Sequence, residues 1–288
     1  MIKLLRTHYL WFLTLFFLLA NLLVWPKVLA ERQALLKVAF LDIGQGDAIY
    51  IEAPNGNQIL LDGGRGRQVL AALGEVMPFS DRSLDLVIAS HPDADHIGGL
   101  VDVFDRYEIG GFMESGVAAE TEVYGFLQER VKAEGAKPVL ARRGTIITLD
   151  AARQIYLTVL FPDRDTTGME TNEASIIAKL TYGESDFLLT GDSPMKIEEY
   201  LTGSDAESLA SEVLKLGHHG SKTSSSAEFL AAVKPAYAII SVGKNSYGHP
   251  SPEVLDRLEK AQIPSLRTDE EGTIIFETDG KKITWRSS

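Results

Sequence analysis

The sequence predicts an α/β fold arranged as a four-layer αββα sandwich. Short β runs separated by turns fill both halves of the chain, and each half carries flanking helical stretches. No linker, low-complexity tract or short-period repeat interrupts them, so residues 31–288 read as one folded body rather than a parallel doubly wound sheet.

Leu36 to Leu41 and Asp47 to Glu52 read as strands. The turn Pro54-Asn55-Gly56-Asn57 leads into the strand Gln58 to Asp62, a hairpin signal of the Asn-Gly kind. Gly63-Gly64 and Gly66 let the backbone turn sharply before a helix over 66–77. Leu84 to Ala89 is a buried strand, helices are expected near 97–107 and 121–134, and strands near 138–140, 145–148 and 155–160. The second half repeats the alternation. Strands Ser175–Tyr182 and Asp186–Thr190 flank a Gly183-Glu184 turn, and a helix follows over Pro194–Thr202, proline being tolerated in the first turn. Strand Val213–Leu216, helix 226–233, strand Ala236–Val242, helix 252–261 and a hairpin over 273–285 complete the series.

The first thirty residues stand apart. Lys3 and Arg6 precede a run from Tyr9 to Trp25 that is apolar except for Thr14 and Asn21. As a helix it would span roughly 25 Å, just short of a hydrocarbon core. Pro26 breaks it, and Val28-Leu29-Ala30 offers the small residues of a cleavage site. A cleaved signal peptide and an uncleaved N-terminal membrane anchor both fit. Basic residues before the run and acidic chain after it place residues 31–288 outside the cytoplasm, either secreted or held at the outer face of the membrane.

Composition excludes several functions. With 45% hydrophobic and 24% charged residues, the 288-residue chain can bury a sizeable core. Its net charge of −12 opposes broad electrostatic binding of nucleic acid, although bound cations could locally invert that field. The absence of cysteine rules out disulfides, thiolate metal sites and a cysteine nucleophile.

Chemistry concentrates in Ser90-His91-Pro92-Asp93-Ala94-Asp95-His96-Ile97-Gly98-Gly99, directly after a buried strand. Pro92 disfavours helix just before it, so a strand-end loop is expected. There His91, Asp93 and Asp95 alternate toward one point while His96 turns to the other side. Imidazole and carboxylate suit zinc or manganese. Asp95 could instead cap the following helix. Asp192, after a strand and a Thr-Gly turn, could bridge two cations, cap the helix at Ser193-Pro194, or do both. His218 and His219 follow the next strand. On an extended segment they would point opposite ways, with His218 the expected ligand and His219 a substrate contact. His249 sits in the Gly-Pro-flanked loop Tyr247-Gly248-His249-Pro250.

The His-x-Asp-x-Asp-His segment followed by Ile-Gly-Gly resembles the His-x-His-x-Asp-His motif of the metallo-β-lactamase superfamily, with Asp93 in place of the second histidine. That variant is similar to the C-terminal hydrolase domain of ComEC-type competence proteins and related phosphodiesterases. Further matches are Leu41 to Ala48, Leu61 to Gly64, Thr171 to Ser175, Leu189 to Asp192, Leu216 to Ser221 and Asn245 to Pro250, so the likeness runs from about residue 36 to 278. The many membrane helices of ComEC-type proteins have no counterpart, and no histidine occurs between His96 and Asp192 to supply the usual third ligand of the first metal. Asn172 stands in that neighbourhood.

The resemblance implies two divalent ions, zinc or manganese. His91 and Asp93 would hold one, Asp95, His96 and His218 the other, and Asp192 would bridge them. Asp95 would orient or deprotonate the attacking water, and His249 would act as a proton donor, a ligand or a substrate clamp. Lys215, Lys222, Ser221, Thr223 and Ser224, with His219 and Asn172, are expected around the substrate, and could steady a phosphate. The implied activity is extracytoplasmic hydrolysis of a phosphodiester, including single-stranded DNA. A choline-phosphate esterase, a lactonase, and a weakly catalytic accessory domain of a DNA-uptake or envelope complex remain as alternatives. No protein partner is predicted.

Overall fold

The computed structural model describes residues 11–22, 25, 35–135 and 137–288. The chain divides into two units, Met1–Leu35 and Leu36–Ser288. In the first, helix α1 (11–22) exposes Trp11, Phe12, Phe16 and Leu18. Among the described residues no helix is long and apolar enough to cross a membrane. Of the export segment expected over 1–30, residues 1–10, 23–24 and 26–30 lie outside the described residues.

The second unit begins with β1 (Leu36–Phe40), β2 (Ile49–Glu52), β3 (Gln58–Leu61), α2 (Gln68–Val76), β4 (Ser83–Leu84), β5 (Leu86–Ala89) and α3 (Ala94–Phe104). Next come β6 (Glu108–Ile109), β7 (Phe112–Glu114), α4 (Glu122–Ala133), β8 (Val139–Leu140), β9 (Ile146–Asp150) and β10 (Ile155–Phe161). After them lie β11 (Ile177–Tyr182), β12 (Ser185–Leu189), α5 (Met195–Leu209), β13 (Val213–Lys215), α6 (Ala227–Val233) and β14 (Tyr237–Ile240). The unit closes with α7 (Pro252–Lys260), β15 (Ser265–Arg267), α8 (Thr268–Glu271), β16 (Ile274–Thr278) and β17 (Ile283–Ser287).

Two large sheets result, of order β17-β16-β1-β2-β3-β5-β7-β8 and β15-β14-β13-β12-β11-β10-β9. Side-chain alternation sorts each strand to two faces. Val38 and Phe40 of β1 share an apolar cluster with Leu157 and Val159 of β10 and Ile239 of β14, which fills the space between the sheets. Ala39 and Leu60 of the first sheet instead meet Leu73 of α2, Leu100 of α3 and Leu127 of α4. On the second sheet, Leu188 and Leu214 meet Leu201 of α5, Phe229 of α6 and Val254 of α7. The expected αββα order is therefore the observed one.

Each sheet changes from antiparallel to parallel pairing partway across. In the first sheet, β2 and β3 are antiparallel whereas β3 and β5 are parallel. In the second, β11 and β12 are antiparallel whereas β12 and β13 are parallel. A crevice outside the carboxyl ends of strands at such a switch is where an open sheet receives ligands. Asp62, Ser90, Asp192 and the loop after β13 all emerge there.

Two expectations need correction. Helix α3 starts at Ala94, so Asp95 and His96 lie in its first turn rather than on a loop. Pro92 precedes the N-cap residue Asp93, where a missing N–H costs nothing. Helix α5 runs to Leu209, past the expected end at Thr202, across a non-helical Asp205.

The Gly98-Gly99 pair lets the start of α3 press against the loop after β3. A Cβ on Gly99 would stand 2.1 Å from the Gly63 carbonyl oxygen and 2.6 Å from that of Gly66. Backbone on both sides leaves little to yield, so Gly99→Ala should lower unfolding stability by about 2–3 kcal/mol. Urea denaturation checks this, and an unchanged midpoint would rule out the close approach.

Candidate metal centre

The site grows from four strand ends. Asp62 follows β3 with φ of 61°, a left-handed conformation that a non-glycine residue adopts at a cost. That turn lets its carboxylate accept from the Ser90 N–H at 2.7 Å and the Ser90 hydroxyl at 2.6 Å, and lie 2.8 Å from His96 Nδ1. With Nδ1 engaged, His96 presents Nε2 to the crevice, 3.2 Å from Asp192 Oδ1. His91 is held likewise, its Nδ1 3.0 Å from the Ser90 hydroxyl and its Nε2 4.0 Å from Asp192 Oδ2. The His91 and His96 rings are 4.1 Å apart, so His96 turns toward His91 and not to the other side.

Asp93 takes the N-cap position of α3 without using its side chain as a cap. Its Oδ2 lies 3.8 Å from His91 Nε2. Asp95 Oδ2 lies 3.7 Å from His219 Nε2. Asp192 caps nothing either, since the N-cap of α5 is Pro194. Its backbone N–H donates to Ser175 Oγ at 3.2 Å and its carboxylate is almost fully buried among imidazoles.

The double histidine departs from the extended segment expected. His218 and His219 both have positive φ, at 50° and 53°. His219 is buried, with Nδ1 2.9 Å from the Ser241 carbonyl and Nε2 3.5 Å from Asp192 Oδ2. His218 is the more exposed of the two, and its ring stands 5.4 Å from that of His249. His219, not His218, joins the close groups of ligating atoms: His91, His96 and Asp192 form one, Asp95, His96 and His219 another, and Asp47, Asp192 and His219 a third. The geometry thus favours His219 over the expected His218, whose Nε2 lies 3.9 Å from Asp192 Oδ2.

These atoms suit a metal ion. His91 Nε2, His96 Nε2, His219 Nε2 and Asp192 Oδ1 are buried without a hydrogen-bond partner, an arrangement that is costly unless a cation or proton is shared among them. Nitrogen and carboxylate donors with no sulfur match zinc or manganese. Burial and the neighbouring His96 hold the His91 pKa well below its ordinary value, leaving a neutral imidazole able to ligate. For His96, burial is outweighed by Asp192 and Asp62, and its pKa rises well above the ordinary value. Asp192 is likewise desolvated, yet His219 and His96 hold its carboxyl far below the usual range.

Three buried residues complete the centre: Asp62 and Asp47, to which local sequence gave no role, and Lys215, which it placed at the substrate. Asp62 orients His96. Asp47, almost fully buried, places Oδ1 3.4 Å from His219 Nδ1. Lys215, fully buried on β13, is ion-paired with Asp47 and lies 3.5 Å from the Gly191 carbonyl. It therefore cannot steady a substrate phosphate, as had been expected of it. A lysine inside the apolar strand Val213-Leu214-Lys215-Leu216 was the available signal for such a partner.

A cavity of about 370 Å³ opens over the cluster, lined in part by Asp93, Asp95, Asp192, His218, His219 and His249. Burial and the neighbouring His218 lower the His249 pKa, so its imidazole is neutral at neutral pH. Gln45 and Arg65 also line this cavity and were not anticipated. Asn172, Ser221 and Lys222 do not line it. The Ser221 hydroxyl pairs with that of Thr223, the Asn172 Oδ1 is buried without a partner, and Lys222 is exposed.

A family model described as the metallo-beta-lactamase superfamily matches residues 41–244. ComE operon protein 3 of Bacillus subtilis is 31% identical over 274 residues, covering 88% of this chain and 34% of that protein. Competence protein ComA of Neisseria gonorrhoeae is 34% identical, covering 87% of this chain and 33% of that one. The chain thus spans about a third of the length of these relatives. Among solved structures, the metallo-beta-lactamase fold protein YhfI from Bacillus subtilis aligns with a TM-score of 0.53 and 14% identity, covering 85% of this chain and 99% of that one. CmlA, a diiron beta-hydroxylase from Streptomyces venezuelae, aligns at 0.51 and 12%, covering 81% and 53%. At such identities the structural likeness speaks for the fold alone.

Asp62→Asn, which removes the charge behind His96, should weaken zinc binding by about 10–100-fold in calorimetric titration. His219→Ala should weaken it more than His218→Ala, and the reverse order would return His218 to the ligand set. Lys215→Ala leaves Asp47 buried without its counter-charge and should cost about 3–5 kcal/mol in urea unfolding. A loss below about 1 kcal/mol, the scale of an exposed ion pair, would contradict the burial.

Proposed function

The chain belongs to the metallo-β-lactamase superfamily, and from that premise we propose that it is a phosphodiesterase or nuclease dependent on two divalent ions, acting outside the cytoplasm. The observation that carries this reading is the convergence of His91, His96, His219 and Asp192 with their ligating atoms buried and unpartnered. His91 and Asp93 would hold one ion, Asp95, His96 and His219 the other, and Asp192 would serve both. The chemistry that zinc or manganese would supply there is polarisation of the scissile ester and a nucleophile from water near neutral pH.

The chain's own residues supply the rest. Asp62 and Ser90 fix the ring orientations of His96 and His91, so the ligating nitrogens need no rearrangement. Asp95, at the cavity wall and partly exposed, would accept the proton of the attacking water. His249, on the opposite loop, lines the cavity as a neutral imidazole and would clamp the substrate by a hydrogen bond. Its Nδ1 is buried without a partner, and Asn245 holds its loop by accepting from the backbone N–H groups of Tyr247, Gly248 and His249.

A phosphodiester is favoured over a lactone by two things. Arg65 adds a cation to a cavity where carboxylates and imidazoles stand beside Gln45, Thr121 and Tyr247. One relative is named competence protein ComA, and another, of Haemophilus influenzae, is called Recombination protein 2. The apolar run at 9–25 would direct export as a signal peptide or anchor.

The test is hydrolysis of bis-p-nitrophenyl phosphate by the full chain reconstituted with zinc or manganese. Asp95→Ala should lower kcat by about 100-fold or more, Asp192→Ala should lose turnover, and EDTA should abolish it reversibly. Turnover unchanged in both variants would sink the mechanism, and binding of metal without turnover would favour an accessory role.

A further inference from the structure

Glu198, in the first turn of α5, is 1% exposed, and nothing in the metal centre makes use of it. A carboxylate that deep is stable only where hydrogen bonds or positive charge replace water. Its Oε1 accepts from the Ser225 N–H at 2.6 Å and its Oε2 from the Ser226 N–H at 2.9 Å. The same segment is held by Arg257 of α7. One of its guanidinium nitrogens donates to the Ser224 carbonyl at 2.8 Å and the Ser225 carbonyl at 2.9 Å, and another to the Lys222 carbonyl at 3.3 Å. An anion thus takes the N–H of Ser225 while a cation takes its C=O. Hydrogen bonds to charged groups are roughly twice as strong as neutral ones.

The segment needs that grip. Ser225 has φ of 58°, and it closes the loop in which His218 and His219 also have positive φ, a conformation that costs energy in a non-glycine residue. Ser224 joins the two ends of this loop: its hydroxyl donates to the Gly217 carbonyl at 2.6 Å and the Ser221 carbonyl at 3.0 Å. The Ser221 N–H in turn donates to the His218 carbonyl at 2.8 Å, and the Thr223 carbonyl accepts from the Met195 N–H at 2.8 Å, at the start of the helix that carries Glu198. Short contacts therefore run from Glu198 and Arg257 to the backbone on both sides of the double histidine. If Glu198 served only to start α6, its bond to Ser226, the N-cap of that helix, would suffice. The bond to Ser225 and all three carbonyls taken by Arg257 lie before α6, on the loop itself.

Resting on the reading of His219 as a metal ligand, we propose that Glu198 and Arg257 are positioning residues of the centre. By holding the N–H and C=O of Ser225 they fix the pose in which the 217–226 loop offers His219 Nε2 to an ion. Neither side chain lines the cavity or belongs to the close groups of ligating atoms, so both act through the loop.

The experiment is calorimetric titration of the full chain with zinc, at a temperature where circular dichroism shows every variant folded. Glu198→Gln keeps one acceptor and loses the charge, whereas Arg257→Lys keeps the charge and loses the fork that spans several carbonyls. Each should weaken zinc binding about tenfold or more, the scale on which groups that orient metal ligands act. Val233→Ala, which opens a cavity at the far end of α6, should lower unfolding stability and leave zinc affinity at its wild-type value. In a His219→Ala background the two substitutions should cause no further loss, because they act through that residue. Wild-type affinity in both Glu198→Gln and Arg257→Lys, an equal loss in Val233→Ala, or losses undiminished in the His219→Ala background would each overturn the positioning role alone. A wild type that binds no zinc would overturn the metal reading, and the positioning role with it.

Discussion

Everything around the crevice depends on one constraint: three carboxylates, Asp47, Asp62 and Asp192, are buried within reach of one another's imidazole partners. Taking a carboxylate out of water costs several kcal/mol unless positive charge and hydrogen bonds replace the solvent. Each is compensated differently. Asp62 has the Ser90 backbone N–H and hydroxyl and the His96 imidazole, Asp47 has Lys215, and Asp192 has the imidazoles of His96 and His219. Remove any one partner and the carboxylate behind it becomes a liability.

Meeting that demand fixes the geometry of distant strands. Asp47 lies in the loop just before β2 and Lys215 at the end of β13, so their pairing joins the two sheets beneath the crevice. Asp62 and Ser90 join the ends of β3 and β5 in the same way. Positive φ at Asp62, His218 and His219 places unfavourable backbone at three site positions, and the surrounding packing holds them there. Positive φ also occurs at Gln154, Ser225, Lys234 and Gln262, but at the site it aims side chains, and the glycine contact between α3 and the loop after β3 keeps that aim close.

Much of this was legible in the sequence because its signals are local. Short β runs bounded by turns marked β1, β2, β10 and β14, and the spacing of His91, Asp93, Asp95 and His96 marked the centre. Strands of two or three residues such as β4, β6, β7 and β15 are too short for such a run to stand out. The choice between His218 and His219 turned on a backbone conformation that no neighbouring glycine or proline dictates for both residues. Asp47 and Asp62 were visible as residues but not as partners, because Asp47 meets Lys215 across 168 positions of chain, and pairing at that separation is decided by topology. Lys215 itself was misassigned to the substrate for the same reason: a lysine on a strand announces a buried counter-charge without saying which one.

The two kinds of positive charge in the centre differ in a way that bears on its chemistry. Lys215 contacts Asp47 and the Gly191 carbonyl and none of the ligating nitrogens, so it is not displaced when the crevice fills. The charge on His96 is exchangeable, since the Nε2 that a proton would occupy is the atom that faces Asp192 and would bind an ion. A divalent ion and a proton therefore compete for one nitrogen, and ion binding releases a proton. Raising the His96 pKa through Asp62 strengthens the imidazole as a ligand and strengthens its hold on the proton together. Asp47 escapes that compromise because its partner is a lysine. A fold that needs a rigid floor and a responsive donor set obtains both by pairing one buried aspartate with an ammonium and another with an imidazole.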